Sequence, residues 1–257
     1  MFLSLISGSS GNAALISDSK TTLLIDCGMS GKKLEQSLAS IDFSPKDIDA
    51  ILITHEHIDH TAGAGVVCRR FGLPIYATAG TFAGMSAGPI PEERIHIIKQ
   101  DTAFEIGSIG VMPFSISHDA NEPVGFRFAA GGKTYAVATD TGIMTKDIQS
   151  RLYGADAVLL ESNHDLDMLM YGSYPFMLKA RIRGELGHLS NDDCAKTCVE
   201  LLNHGTSHIM LGHLSKENNT PEIAYKTAEN ALKSAGASLS RDICLCVAKR
   251  SEVTRLL

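Results

Sequence analysis

Short apolar runs recur along the chain, each bounded by polar or turn residues. Residues 23–25, 50–53, 157–160 and 209–211 are uninterrupted Leu, Ile, Val, Ala or Met. A strand with one wet face alternates, so these unbroken runs predict strands buried on both faces. Helical patterns lie between them. Thr220 suits an N-cap, Pro221 the first helical position, and Gly236 a stop, which predicts a helix over residues 221–235. A second helix is predicted after Ser190, with Asp192 and Asp193 complementing its dipole, ending near Gly205. Strands alternating with helices predict an α/β (α+β) fold. No linker or low-complexity stretch intervenes, so a single domain over residues 1–257 is expected.

The chain repeats itself. Residues 20–28 read KTTLLIDCG and residues 133–142 read KTYAVATDTG. Downstream, DAILITHEH at 49–57 is matched by DAVLLESNH at 156–164. Strand, Asp-x-Gly, helix and a second strand occur twice, which predicts two similar halves, roughly 1–119 and 120–257. Paired halves of this kind bring their loops to one shared edge.

The second apolar run ends in THEHIDH. His55, His57 and Asp59 are two apart, so in an extended segment they face one way. His60 needs the chain to turn, and Thr61-Ala-Gly-Ala-Gly supplies flexible backbone. Four imidazole or carboxylate groups in six residues would repel or stay unsatisfied without a cation. One ion cannot readily take all four from so tight a loop, so two ions are expected, each with ligands from elsewhere. His118, Asp140 and His213 each follow a predicted strand and are the candidates.

Composition narrows the picture. Lys plus Arg is 23 against 29 Asp plus Glu, a net charge of −6, which excludes coating nucleic acid by bulk charge. No run approaches the ~20 apolar residues of a membrane span. The start, MFLSLISGSS, has no basic segment and too short an apolar stretch for a secretory signal, so a cytoplasmic location is expected. The six cysteines show no framework spacing and read as reduced core thiols.

H-x-H-x-D-H after an aliphatic strand, with an upstream Asp-x-Gly and later His, Asp and His, resembles the metallo-β-lactamase-fold hydrolases. The resemblance covers essentially the whole chain. It implies a four-layer αββα sandwich with a dinuclear site on one edge. It also implies His55, His57 and His118 at the first ion and Asp59, His60 and His213 at the second. Asp140 would bridge them, and Asp26 would support the loop without binding metal. Zinc, manganese or iron suit such mixed ligands. Asp at 140, where true β-lactamases of this fold place Cys, argues against lactam cleavage.

Four further motifs, SGSSGN (7–12), ESNHD (161–165), GHLSN (187–191) and GHLSKENN (212–219), are similar to the YycJ (WalJ, VicX) branch of bacteria. That branch implies a cytoplasmic nuclease, a 5′ exonuclease on duplex DNA. In related members a Glu and a His assist leaving-group protonation, which points to Glu161 and His188 beside Asp59 as catalytic residues. Ser9, Ser10 and Asn12 lie in a turn whose backbone N–H groups can approach an anion. His164 aligns with His57 in the repeat. Lys179, Arg181 and Arg183, near Tyr174, line one face if extended and suit a phosphate backbone. The expected partner is therefore DNA, with no membrane contact. Two rivals remain: a small-molecule hydrolase of cyclic phosphodiesters or thioesters, and a redox or O₂-reacting dimetal protein. No flavin or dinucleotide motif supports the second.

Overall fold

A computed structural model describes all 257 residues, Met1–Leu257. The chain first builds β1 (Phe2–Ile6), β2 (Ala13–Ser17), β3 (Thr22–Ile25), β4 (Ala50–Leu52), β5 (Ile75–Thr78) and β6 (Ile95–Ile98). It then builds β7 (Phe104–Ile106), β8 (Ile109–Ser115), β9 (Val124–Ala130), β10 (Lys133–Ala138), β11 (Ala157–Glu161), β12 (His208–Gly212) and β13 (Cys244–Val247). The last strand, β14 (Thr254–Arg255), returns to pair with β1. The two seven-stranded sheets have mirrored orders, β14-β1-β2-β3-β4-β5-β6 and β13-β12-β11-β10-β9-β8-β7.

Nine helices join them: α1 (Gly31–Ala39), α2 (Ile58–Thr61), α3 (Ala64–Phe71), α4 (Ala79–Gly84), α5 (Lys146–Leu152), α6 (Leu166–Tyr171), α7 (Phe176–Arg183), α8 (Asn191–Asn203) and α9 (Pro221–Ser234). One apolar cluster, including Ile16, Leu23, Phe126 and Phe128, lies between the sheets. A second packs α1 and α3 on the outer face of the first sheet through Leu34, Leu38 and Val67. A third packs α5, α8 and α9 on the second sheet through Leu152, Cys198 and Ala228. The layers are therefore helix, sheet, sheet, helix, which is the expected sandwich.

The predicted buried runs all lie in strands, and β3, β4, β11 and all of β12 but His208 are buried. Both predicted helices form. Thr220 caps α9 by accepting from Ile223 N, and Ser190 caps α8 by accepting from Asp193 N. The repeat is also physical. Asp49 accepts from Thr22 N at 2.8 Å and Asp156 from Thr134 N at 2.8 Å, the same brace in each half.

Three expectations need correction. The chain enters the second sheet between Ile98 and Phe104, not near residue 119, because hairpin β7–β8 belongs to that sheet, and β14 crosses back. Residues 176–183 form a helix, not an extended strip, so Lys179, Arg181 and Arg183 do not share a face. Cys27, Cys68, Cys194 and Cys198 are buried free thiols, but Cys244 is exposed and Cys246 only partly buried.

Candidate metal centre

Strands β3 and β4 are parallel, as are β10, β11 and β12, so their carboxyl ends share an edge. Loops leaving that edge carry Asp26, the 55–60 segment, Asp140 and His213, Glu161 is the last residue of β11, and the loop after β8 adds His118. Three of these residues, Asp26, Asp140 and His213, have left-handed backbone with φ of 57°, 60° and 55°. Such strain in non-glycine residues persists only where surroundings impose it. Asp tolerates it through local hydrogen bonding, which explains Asp at both Asp-x-Gly turns. The glycine is explained at Gly28, where a Cβ would stand 1.6 Å from the carbonyl oxygen of Asp59.

The 55–60 segment is not extended throughout. His57 precedes the first turn of α2, and Asp59 and His60 are helical. Asp59 thus reaches the cluster by the turn that the sequence reading reserved for His60. The ring nitrogens of His55, His57 and His118 lie within 4.8 Å of one another, and so do the ligand atoms of Asp59, His60 and His213. Asp140 joins the groups: its carboxylate lies 3.2 Å from His60 Nε2, 3.3 Å from His213 Nδ1 and 3.9 Å from His118 Nε2.

Second partners fix which nitrogen of each ring is free. His60 Nδ1 donates to Asp26 Oδ2 at 2.8 Å, leaving Nε2 to the cluster. His213 Nδ1 donates to Glu161 Oε1 at 2.8 Å, leaving Nε2 3.3 Å from Asp59. His118 Nδ1 donates to the Gly187 carbonyl at 3.1 Å, so Nε2 is its free atom. Carboxylate or carbonyl behind the ring and lone pair in front is the arrangement that orients metal-binding imidazoles. His55 Nε2 and Asp140 Oδ2 are buried and have no hydrogen-bond partner. Orphaned buried acceptors are costly, and a cation between them would satisfy both. The residues present therefore fit divalent ions.

Burial, with the His60 charge beside it, holds His55 well below the usual imidazole range. Burial opposes the charge on His213, but Asp140 and the bonds to Asp59 and Glu161 push it up to about 10. Burial likewise opposes the charge on Glu161, yet His188 and the bonds from His188 and His213 hold it down to about 2. Opposite charges are thus crowded into a buried space.

His188 lies beside the cluster with its side chain 21% exposed, and its Nδ1 is 2.8 Å from Glu161 Oε1. Glu161 is fully buried and also accepts from Thr141 N (2.8 Å) and Leu189 N (3.2 Å). Burial works against the charge on His188, and Glu161 overrides it to raise its pKa.

The β1–β2 turn divides. Ser9 and Ser10 are exposed at its tip. Asn12 is buried, with Nδ2 3.3 Å from Asp59 Oδ2 and 3.1 Å from His60 Nε2. Ser7, which the sequence reading left unassigned within SGSSGN, accepts from His213 N at 2.8 Å. Thr54 was also missed: it donates to Asp26 from both N (2.8 Å) and Oγ1, although it directly precedes the histidine run. Asp119, next to His118 in sequence, has Oδ1 3.5 Å from His118 Nε2 and holds Arg181 at 2.6 Å. His164 is buried against Ser190 and outside the ligand groups, and burial lowers its pKa to about 4. Tyr174 is half-buried between α6 and α7.

A family model described as beta-lactamase superfamily domain matches residues 21–213. The exodeoxyribonuclease WalJ of Streptococcus pneumoniae serotype 2 is 42% identical over 242 residues, covering 93% of this chain and 90% of that protein. The chain belongs to the beta-lactamase superfamily, in its YycJ-like branch. The exodeoxyribonuclease YycJ of Bacillus anthracis is 37% identical over 237 residues, covering 91% of this chain and 90% of that one. The crystal structure of Zn(2+)-bound PqqB from Methylobacterium extorquens superposes with a TM-score of 0.72 at 20% identity over the whole of both chains. That likeness shows the fold. As a member of this superfamily the chain is a hydrolase, and no helix in it is long and apolar enough to cross a membrane.

Proposed function

We propose that the chain is a dinuclear-metal phosphodiesterase of the cytoplasm that removes nucleotides from the 5′ end of duplex DNA. One observation carries the reading: two imidazole-rich candidate ligand groups share Asp140, beside a mostly buried His188 whose ring is fixed by Glu161. The exodeoxyribonuclease relatives, alike over nine-tenths of the chain, favour DNA as the substrate. Four buried free thiols suit a reducing compartment.

His55, His57 and His118 would hold one ion, Asp59, His60 and His213 the other, and Asp140 both. Bound there, divalent zinc, manganese or iron would act as Lewis acid on the phosphate and lower the pKa of water. The carboxylates of Asp59 and Asp140 accept hydrogen bonds from the attacking water and aim it. Glu161 holds the proton of His188 at Nδ1. Nε2 is then the atom that hands a proton to the leaving oxygen. Glu161 acts through His188 and His213 as a positioning residue. Asn12 belongs to this machinery by steadying Asp59, whereas Ser9 and Ser10 are free to meet the strand.

The test is metal-reconstituted protein on end-labelled duplex, single-stranded DNA and RNA, with bis-p-nitrophenyl phosphate as a generic phosphodiester. Mononucleotide release from 5′-labelled duplex is expected. Hydrolysis of the generic compound with no nucleic acid cut would replace this reading by a small-molecule phosphodiesterase.

A further inference from the structure

The hairpin of α6 and α7 is unlike the rest of the surface. Tyr171 is 87% exposed, Phe176 80% and Met177 76%. Helix α7 has no buried residue, so these side chains fill no core. Contiguous exposed apolar groups of this size mark a binding surface. Between the two helices runs an open groove of about 480 Å³, lined by Met170, Phe176, Lys179, Ala180, Arg183 and Gly184. The α7 members recur every three to four residues and share one helical face. Arg181, on another face, is paired with Asp119. Lys179 and Arg183 have no carboxylate partner: Lys179 Nζ donates to the Met170 and Gly172 carbonyls, and Arg183 Nη1 lies 3.0 Å from Met170 Sδ. The groove thus has apolar walls and two uncompensated positive charges.

It is also fixed relative to the metal centre. His188 N donates to the Ile182 carbonyl at 2.9 Å and Gly187 N to Gly184 at 2.8 Å. Gly142 packs so closely on this segment that a Cβ would meet the carbonyl oxygens of Glu185 and Gly184 at 2.3 and 2.4 Å. Gly184 and His188 are four residues apart, which limits their separation to about 14 Å.

We infer that the α6–α7 groove is a nucleotide-binding site that takes an unstacked base at a DNA strand end. The base lies on Phe176 and Met170, and its phosphate meets Lys179 and Arg183. The inference rests on the nuclease reading and deepens it. Aromatic faces beside free cations are the chemistry of a base-stacking platform. Inside a duplex both faces of each base are covered by neighbours. A base face is offered at an end, so the groove selects ends over continuous duplex. Lys179 and Arg183, with no carboxylate of their own, complement a phosphate and not an acidic-poor protein face.

The chain has no tryptophan, so Phe176→Trp at this exposed position gives a single fluorescent reporter in the groove. Metal-free protein is titrated with a 5′-phosphorylated open duplex and with a relaxed, covalently closed circular duplex that has no ends. The open duplex should quench the emission, and the closed one should leave it unchanged at equal concentration. Adding Arg183→Gln should raise the half-quenching concentration on the order of tenfold, as for a lost charged hydrogen bond. Equal quenching by both duplexes, by neither, or by polyglutamate as well as by DNA would overturn the inference. The parent reading is scored separately: if the parent digests DNA but no quenching occurs, the groove falls and the nuclease stands. If the open duplex quenches but the parent digests no DNA, the groove stands as an end-binding site and the nuclease falls.

Discussion

Asp26 and Asp140 close on opposite ring nitrogens of His60, at 2.8 Å from Nδ1 and 3.2 Å from Nε2. They occupy the same turn of the two halves, and both have left-handed backbone. The same turn thus occurs twice, once behind the imidazole and once in front. The two positions should respond differently. Asp140→Asn removes a charge shared by both ligand groups and should lose most bound metal together with activity. Asp26→Asn keeps the turn, since Asn also tolerates positive φ. It should weaken metal binding by about 10–100-fold while the fold persists. Chelator competition with metal content per chain measures both. Two tightly held ions and full turnover in Asp140→Asn would remove that residue from the centre.

Glu161 Oε1 accepts from both His188 and His213 at 2.8 Å, so one carboxylate serves a candidate ligand and the proposed proton donor. Their substitutions should separate. His188→Ala should keep nearly two ions per chain and lower DNA hydrolysis by roughly 10²–10⁴-fold. A p-nitrophenolate leaving group needs little protonation, so that substrate should suffer less. Glu161→Gln should lower metal affinity as well, because His213 loses its charged acceptor. Equal losses of DNA and p-nitrophenyl ester turnover in His188→Ala would make His188 a positioning residue.

The sandwich and the gathering of the candidate ligands at one edge were legible because their signals are local. Unbroken aliphatic runs mark doubly buried strands, and a histidine cluster at a strand end has few other uses. The Asp-x-Gly repeat was legible too, and close backbone approach shows why each copy needs its glycine, Gly28 against Asp59 and Gly142 against Glu185. What failed was long-range. Lys179, Arg181 and Arg183 satisfy a period of two by chance, and the α7 helix separates Arg181 from its neighbours. The sheet boundary could not be read from the repeat, because β7 and β8 precede the second copy of the motif yet pair with its strands. Ser7 and Thr54 looked like turn and strand residues. Their bonds to His213 and Asp26 exist only once distant loops meet.

His164 gives a pH test. Burial lowers its folded pKa to about 4, below the ordinary imidazole value of 6.5. A group depressed on folding binds its proton more readily in the unfolded chain, so its effect on stability rises with pH. Between pH 6.5 and about 4 the unfolded state is protonated first, and the folded protein should lose stability as pH falls. Above pH 6.5 this group should contribute no slope. His164→Gln removes the titration, so the difference in Tm between parent and variant should narrow from pH 7 to pH 4. A constant difference across that range would show that His164 takes up its proton as readily in the folded protein as in the unfolded chain.

The helical form of residues 176–183 changes what the basic residues should do in salt. Each phosphate neutralised by a cation adds about 0.9 to the slope of log affinity against log salt on duplex DNA. Arg181 is already compensated by Asp119 at 2.6 Å, so it has little charge to offer a phosphate. Lys179 and Arg183 have no such partner and lie on the groove face. Arg183→Ala should therefore flatten the slope by about 0.9, and with Lys179→Met by about 1.8. Arg181→Ala should change it by less than half as much as Arg183→Ala. The measurement is duplex affinity of metal-free protein over a salt series, which separates binding from cleavage. With a net charge of −6, the chain gains little from bulk attraction, so local contacts should dominate the slope. Equal effects of all three substitutions would mean that Arg181 leaves Asp119 when DNA binds. No effect of Arg183→Ala would show that phosphates do not reach the groove.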